Sequence, residues 1–404
     1  MTPASELIRS RERVLDAFTA WLQAYGCVSR DHQSFFAGPI GGAAKTLYYR
    51  NRLLGTAAVA PMIFCEAFVP AARHLFGKTM RFPIADAHYA MGFAFRSCGA
   101  GDHAHRCAVQ FLEALKASRA PGFTEYCWGY PFDWVTRSGT IKANTPFITS
   151  TPYVYEAFRQ VFQIDRDPQW LAVCRSIAEH ATHDIKDIPV SPSAASCGYY
   201  PADDHGGVVN ASAYRAWLMA AASVDFEDPR YWEIGQRNLQ FVLSSQQPDG
   251  SWHYSADGAR DFVDHFHTCF VLKALAKIHR VKSYPGCTEA IAAGVRYYRQ
   301  HLLDDKGLPK PFSKAPRLTV YKRELYDYAE CINLCVLLRN TFPELHQTLN
   351  AVLADVFTRW VKRDGSFKSR ELLLGWDDVP MHRWAQSQMF RSLAFYLHEE
   401  SAAA

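Results

Sequence analysis

No stretch of about 18 consecutive apolar residues runs through this chain, which argues against a membrane-crossing helix. No CxxC pair occurs. The eleven cysteines are scattered, and the closest two, Cys331 and Cys335, are helically spaced inside an apolar run, so reduced core thiols are expected rather than a disulfide or zinc framework. No run of Lys or Arg stands out, and 44 basic against 40 acidic residues leave a net charge of only +4, an unsuitable balance for a dedicated nucleic-acid binder. The first residues, MTPASELIRSRERVLDAF, hold no apolar signal core, so a cytoplasmic location is the expectation. There is no D-x-D-D acid and no Asp/Cys/His zinc set, and nothing calls for a cofactor. His103-Ala104-His105 falls on an amphipathic outer helix, and His265 and His267, two residues apart, splay on a helix; neither makes a metal pair.

What is present is repetition. Five segments open with polar or aromatic residues and then turn densely apolar: from Thr145, Val208, Val263, Leu325 and Met381, with a sixth candidate from Ile84. Their spacing of roughly 55–62 residues is the length of two helices and two loops. Amphipathic helices fill the intervals at about 102–118, 168–184, 229–246, 286–303 and 343–362, with stripes such as Trp232, Gly235, Leu239 and Val242 against Glu233, Gln236 and Arg237. Helices apolar nearly all round are inner ones, and striped helices are outer ones. The pattern predicts an all-α protein, an (α/α)6 toroid of helical hairpins formed by residues 1–404 as a single domain. Residues 1–80 are less regular: a helix over Glu6–Trp21, a loop at Gly38-Pro39-Ile40-Gly41-Gly42, and a further helix over about 51–76. Turns in which Gly follows Asp (Pro248-Asp249-Gly250-Ser251-Trp252, Asp304-Asp305-Lys306-Gly307, Arg363-Asp364-Gly365-Ser366-Phe367) end the outer helices, the glycine supplying a positive-φ stop and the aromatics pinning the returning chain.

The connections alternate in length. Short ones lead from inner to outer helices. Long ones, rich in Trp, Tyr, His, Asp and Arg, lead back, and in a toroid these share one rim beside the inner-helix N-termini. They carry the candidate site: Trp128, Asp133, Trp134 and Arg137 in the first; Tyr200, Asp203 and His205 in the second; Trp252, Tyr254, Asp264, His265 and His267 in the third; Arg317, Arg323, Tyr326 and Asp327 in the fourth; His382, Arg383 and Trp384 in the fifth. Flat apolar rings beside charged hydrogen-bonding groups suit a sugar, and the Lys and Arg of the last two connections suit an acidic one. The partner expected is therefore a polysaccharide or oligosaccharide, with neither nucleic acid nor membrane insertion.

WGYPFDW at 128–134, Thr145-Pro146 with Thr149, Val209-Asn210-Ala211-Ser212, DGSW at 249–252, Asp264-His265-Phe266-His267-Thr268 (usually D-N-F-H-T) and His382-Arg383-Trp384-Ala385-Gln386 together resemble α/α-toroid proteins of bacterial exopolysaccharide and capsule loci. The resemblance covers most of the chain, is weakest before residue 40, and implies a setting of polysaccharide assembly. Distant relatives of that toroid include six-hairpin glycosidases and terpenoid cyclases and prenyltransferases.

His267 is the leading candidate base. It lies one turn after Asp264, which can orient its imidazole or simply cap the helix. Asp133, between two tryptophans, is expected either to have a raised pKa and serve as an acid or base, or simply to cap a turn. His205, Tyr326 and Asp327 are further catalytic candidates; Tyr153, Tyr200, Asp203 and Asn210 are candidates for substrate contact. The favoured activity is proton abstraction at C5 of a uronic-acid unit, giving an epimerase or lyase. The alternatives are a glycoside hydrolase using two carboxylates, a terpenoid cyclase or prenyltransferase, and a non-catalytic glycan-binding subunit.

Overall fold

The computed structural model describes residues 3–316 and 318–403, with side chains from residue 10 to 402; Arg317 lies outside them. The chain forms helices α1 (Pro3–Tyr25), α2 (Ser34–Ala37), α3 (Pro39–Arg50), α4 (Arg52–Phe68), α5 (Pro83–Arg96), α6 (His103–Ala117), α7 (Thr151–Asp165), α8 (Pro168–His183), α9 (Val209–Asp225), α10 (Pro229–Ser244), α11 (His265–Lys282), α12 (Cys287–His301), α13 (Leu325–Leu338), α14 (Leu345–Asp355) and α15 (Ser387–Ala403). Six of them, α5, α7, α9, α11, α13 and α15, pack each against the next, and α15 against α5 closes the ring. These are the helices apolar nearly all round: every residue of α13 is buried, as is α9 from Val209 to Ser223. Small residues allow the close approach. A Cβ on Gly92 of α5 would lie 2.6 Å from the Phe390 ring of α15.

The outer helices show why one stripe suffices there. α10 buries Tyr231, Gly235, Leu239 and Val242 against α9 and leaves Arg230, Glu233, Gln236 and Arg237 to water. Inner-to-outer turns are short because Asp-Pro restarts the helix at once. Asp167 and Asp228 accept hydrogen bonds from the backbone N–H of Gln169 and Arg230, and the proline takes the first helical position. The (α/α)6 toroid is therefore the fold. Its sixth hairpin joins opposite ends of the chain: α1 is the outer partner of α15, with Phe18 stacked on Phe390 at 5.1 Å and on Phe367 at 5.2 Å.

Three local expectations need correction. Residues 38–42 are not a loop: Pro39 opens α3, and Gly41 lets it cross the backbone of Phe35, where a Cβ would meet the carbonyl oxygen at 1.9 Å. The helix expected over 51–76 stops at Phe68, and Pro70 starts a separate 3-10 turn to Leu75. The last outer helix ends at Asp355 and continues as a π-turn over Val356–Trp360, where Asp355 accepts from the Trp360 indole at 2.9 Å.

The six long connections join hand to hand around one rim. Ile148 N–H donates to Tyr199 O, Val209 N–H to Tyr254 O, His265 N–H to Pro311 O, and Leu325 N–H to Ser369 O. His382 N–H then donates to Ser29 Oγ, and Gly42 lies beside Val135. Short antiparallel ladders reinforce the joins, 263–264 with 312–314 and 321–324 with 370–372. The three glycine turns recur with Gly250, Gly307 and Gly365 all at positive φ.

Candidate active site

Each inner helix begins at this rim, and the first turns converge on a cavity of about 490 Å³, open mouth included. Ile84, Asn210, Phe266, Tyr326 and Gln388 are each the second residue of their helix, and Tyr153 the third; all line the cavity. The loops add Tyr130, Thr149 and Tyr199, and the π-turn before α15 adds Arg383 and Trp384. Expected residues that meet here are thus Tyr153, Asn210, His267, Tyr326, Arg383 and Trp384.

His267 is the titratable centre. Asp264, buried at the mouth of α11, does two things with one carboxylate. Its Oδ1 accepts the His267 backbone N–H at 2.9 Å, capping the helix, and its Oδ2 lies 2.6 Å from the imidazole Nδ1. Nδ1–H then donates to the carboxylate, and the lone pair of Nε2 is left to the cavity. Tyr254 meets the ring edge-on at 4.8 Å, with Phe266 and Phe270 beside it. Tyr254 itself is pushed up to about 12 by burial. His267 and Asn210 also border a smaller chamber of about 220 Å³ lined by Trp252, Tyr254 and Asp264, so the pair sits where two spaces meet.

The rest of the wall is phenolic and amide in character. Tyr153 and Tyr214 share a 2.6 Å hydroxyl contact. Burial holds the phenols of Tyr153, Tyr214, Tyr199 and Tyr326 well above the usual tyrosine range, so all are neutral donors at pH 7. Arg383 is tied to Asp31 at 2.7 Å and stacked over Tyr130. Arg391 Nη1 donates to His88 Nδ1 at 3.0 Å; burial, then Arg391, keeps His88 well below the ordinary histidine value, so its Nε2 carries the proton. The Gln388 amide, 2.6 Å from that Nε2, is accordingly assigned with its oxygen toward His88 and its NH2 toward the cavity. Asn210 Oδ1 and Trp384 Nε1 are buried with no hydrogen-bond partner among the described residues. A polar ligand in the cavity would find an acceptor, an indole donor and an amide donor.

The other expected residues lie elsewhere. Trp128 and Trp252 pin turns, their indoles donating to Leu115 O and Val242 O. Trp134 packs on Tyr130 and Phe147, and Tyr200 meets Phe147 edge-on. For Asp133 the acid or base reading is corrected, and the turn-capping alternative fits. Lys142 and the Ala143 N–H, both at 2.9 Å, hold its carboxyl below the usual range on a half-exposed turn, the opposite of the raised value expected. Arg137 is exposed at the hairpin tip. Asp203 organises its own loop through the N–H groups of Tyr199 and His205, and the His205 side chain faces solvent. His265 turns outward, between Leu302 O and the Tyr298 hydroxyl. His382 is sealed against Tyr89 at 2.6 Å, and burial brings it down to about 4. Arg323 pairs with Asp304 and Glu371. Asp327 is buried behind the wall with one unpartnered oxygen; burial, then Glu324 and Asp264, push it well above the carboxylate range.

The basic residues of the fourth and fifth connections do not converge as a cluster. Lys314 pairs with Asp261, Arg370 with Glu324 and Glu66, and of the Lys and Arg residues described only Arg383 lines the main cavity. Reading by residue type missed Tyr130, Tyr199, Tyr214, Phe266, Phe270 and Gln388. The first two lay inside the long connections as unexploited aromatics. The others sat in helical segments where an inward polar group looks like any core position.

No family model matches the sequence, and no curated protein matches it. Solved structures do. A cellobiose 2-epimerase of Bacillus thermoamylovorans aligns with TM-score 0.60 at 7% identity, over 79% of this chain and 88% of that one. A GH76 α-mannanase of Bacteroides thetaiotaomicron aligns with TM-score 0.60 at 7% identity, over 92% and 99%. A polysaccharide lyase aligns with TM-score 0.52 at 12% identity, over 86% and 98%. Likeness at such identities shows the fold, and the (α/α)6 toroid is what this chain shares with them.

Proposed function

We propose that this protein is a carbohydrate-active enzyme that abstracts a proton from a carbon next to a carboxylate or carbonyl of a bound saccharide, with His267 as the base and Asp264 as its positioning partner. The observation that carries this reading is the 2.6 Å Asp264–His267 contact at the edge of a cavity walled by aromatic rings and unpartnered polar atoms. Imidazole is the base because the tyrosines are held protonated; a neutral phenol such as Tyr326 or Tyr153 suits the complementary role of donating a proton or a hydrogen bond to the developing oxyanion. The names of the structural neighbours, an epimerase and a lyase among them, agree with saccharide chemistry on this scaffold. Epimerisation and β-elimination both follow from the same first step. A uronic acid is the favoured substrate unit, with Arg383 the cation that would meet its carboxylate.

Hydrolysis by a carboxylate pair is the weaker reading. Such a pair flanks one bond at about 5–9.5 Å. The residues lining the main cavity include no Asp or Glu, and Asp264 is committed to His267 and the helix cap.

The test is incubation with uronate-containing and neutral oligosaccharides in heavy water. Deuterium at the carbon that loses its proton supports epimerisation, and new ultraviolet absorbance supports elimination. New reducing ends without deuterium would support hydrolysis and sink the proposal. His267→Ala should abolish turnover with the fold retained; unchanged turnover removes it from the site.

A further inference from the structure

Helix α4 inverts the rule that the outer helices of the toroid obey. α10 shows water Arg, Glu and Gln, whereas the outward side of α4 shows Leu53, Ala57, Ala60, Pro61, Phe64 and Phe68, an apolar stripe at i, i+4, i+7/i+8, i+11 and i+15. Leu53 is 87% exposed and Phe64 59%. The orientation is not loose. Gly55 seats α4 on α3, where a Cβ would fall 2.0 Å from Tyr48 Cα, and Met62 and Ala67 face inward. Exposed Leu75 and Leu374 lie on flanking segments, the latter joined to α4 through the 2.8 Å Glu66–Arg370 ion pair. So large an uncovered apolar face marks a docking surface.

Its charge points to the partner. Residues 39–78 contain Lys45, Arg50, Arg52, Arg73 and Lys78 against one acidic residue, Glu66, which Arg370 neutralises. Arg73 is buried on Asp377, but Arg50 and Arg52 flank the exposed tip of the hairpin beside Tyr48 and Tyr49. Arginine, tyrosine and leucine together at a helix end are the composition of an interfacial anchor. A second copy of the chain is a poorer occupant, because a two-fold interface on this face would bring the same basic segment onto itself.

We propose that the α3–α4 hairpin docks the protein on an anionic lipid surface, with α4 lying along the interface and Arg50 and Arg52 among the headgroups. No described helix is long and apolar enough to cross a bilayer, so the attachment is peripheral. The hairpin belongs to the 26–82 connection on the active rim. It is fixed there by Gly42 against Val135 and by Arg73 on Asp377, so lipid would lie beside the cavity mouth.

The test is co-sedimentation of the full chain with vesicles of phosphatidylcholine alone and of phosphatidylcholine with phosphatidylglycerol. Binding is expected on the anionic vesicles and should weaken as salt rises from about 0.1 to 0.5 M. Arg50→Glu with Arg52→Glu should reduce it at least about ten-fold. Leu53→Asp with Phe64→Asp should do the same through lost apolar burial. All four side chains are exposed, so circular dichroism and melting should not change. The proposal is overturned if the wild type ignores both vesicles, if Leu53→Asp with Phe64→Asp binds as well as wild type, or if light scattering finds a dimer that this variant splits into monomers. None of these readouts depends on enzymatic turnover.

Discussion

Replacing Asp264 by Asn separates its two jobs. Asparagine caps a helix as well as aspartate does, so the 2.9 Å bond from the His267 N–H survives and α11 should lose no more than a few tenths of a kcal/mol. What goes is the charge 2.6 Å from Nδ1, which fixes the tautomer and stabilises the imidazolium formed when Nε2 takes a proton. The imidazolium needs that charge far more than the neutral imidazole does, so the loss falls on the transition state rather than on the fold; at about 1.5–3 kcal/mol it is about 10- to 10²-fold in turnover. A wrong tautomer adds to that, and an analogous substitution behind a serine-protease histidine costs about 10⁴. Asp264→Asn should therefore lower turnover about 10²- to 10⁴-fold and leave the melting temperature within about 0.5 °C. Asp264→Ala should lose as much turnover and, without the cap, about 1 kcal/mol of stability as well, about 1 °C in a chain of this size. Deuterium incorporation from heavy water reads the first quantity and a thermal melt the second. Because the two residues act as one unit, His267→Ala/Asp264→Asn should be no worse than His267→Ala alone. Asp264→Asn within about three-fold of wild type, or a double variant that multiplies the two losses, would refute the positioning role.

Two buried groups should tilt stability with pH in opposite directions. His382, lowered from 6.5 to about 4 by burial, is held neutral in the fold; its contribution is present above pH 6.5 and is lost as pH falls toward 4, about 3 kcal/mol in all. Asp86, raised from 3.8 to about 6 by burial against the Arg81 bond, contributes stability below pH 3.8 that is lost as pH rises through 6, again about 3 kcal/mol. Urea unfolding at pH 4 and 7 should therefore show a steeper acid loss in Asp86→Asn and a shallower one in His382→Gln; equal slopes in both variants contradict the assignment. Gly92→Ala, which drives a methyl group to 2.6 Å from Phe390 at the ring closure, should destabilise by about 1–3 kcal/mol in the same assay. Asn210→Ala removes a buried oxygen that has no partner among the described residues, so it should leave unfolding stability unchanged or slightly improved while weakening oligosaccharide binding about ten-fold by calorimetry.

The inner helices were legible because residues buried on all sides must be apolar or small on all sides, and their 3.6 periodicity vanishes. The glycine turns were legible because Gly250 and Gly365 occupy a backbone region that other residues avoid. Closure by α1 was not: its stripe resembles any outer helix, and nothing local says that its partner lies at the far end of the chain. The Asp264–His267 pair could be read because both groups fall on one helical turn. Arg383 could be read as inward, but its partner Asp31 comes from the irregular segment and carries no periodic signal. Residue type failed most often with aromatics. Trp128 and Trp384 look alike in sequence, yet one indole is spent on Leu115 O and the other has no partner among the described residues. Asp133 failed for a related reason. The two tryptophans beside it in sequence do not enclose it, and Lys142 does the opposite of desolvation.

The placement of the site at the inner-helix N-termini gives the proposed chemistry its electrostatic support. Six helix starts aim their partial positive ends at one cavity whose main chamber is lined by no carboxylate. Such a field disfavours a resident anion less than a resident cation, and the one guanidinium among the described lining residues, Arg383, is tethered to Asp31. Asp31 holds Arg383 from behind the wall, and Asp264 leaves His267 neutral with Nε2 free to take a proton, so the positive helix ends favour negative charge that develops in the main chamber. Loss of a proton next to a carboxylate or carbonyl develops that charge on oxygen, within reach of neutral phenols and the Gln388 and Trp384 N–H groups that are already oriented. Glycoside hydrolysis develops positive charge at the sugar ring instead and needs a pair of carboxylates to meet it, which the described lining of the main chamber does not supply.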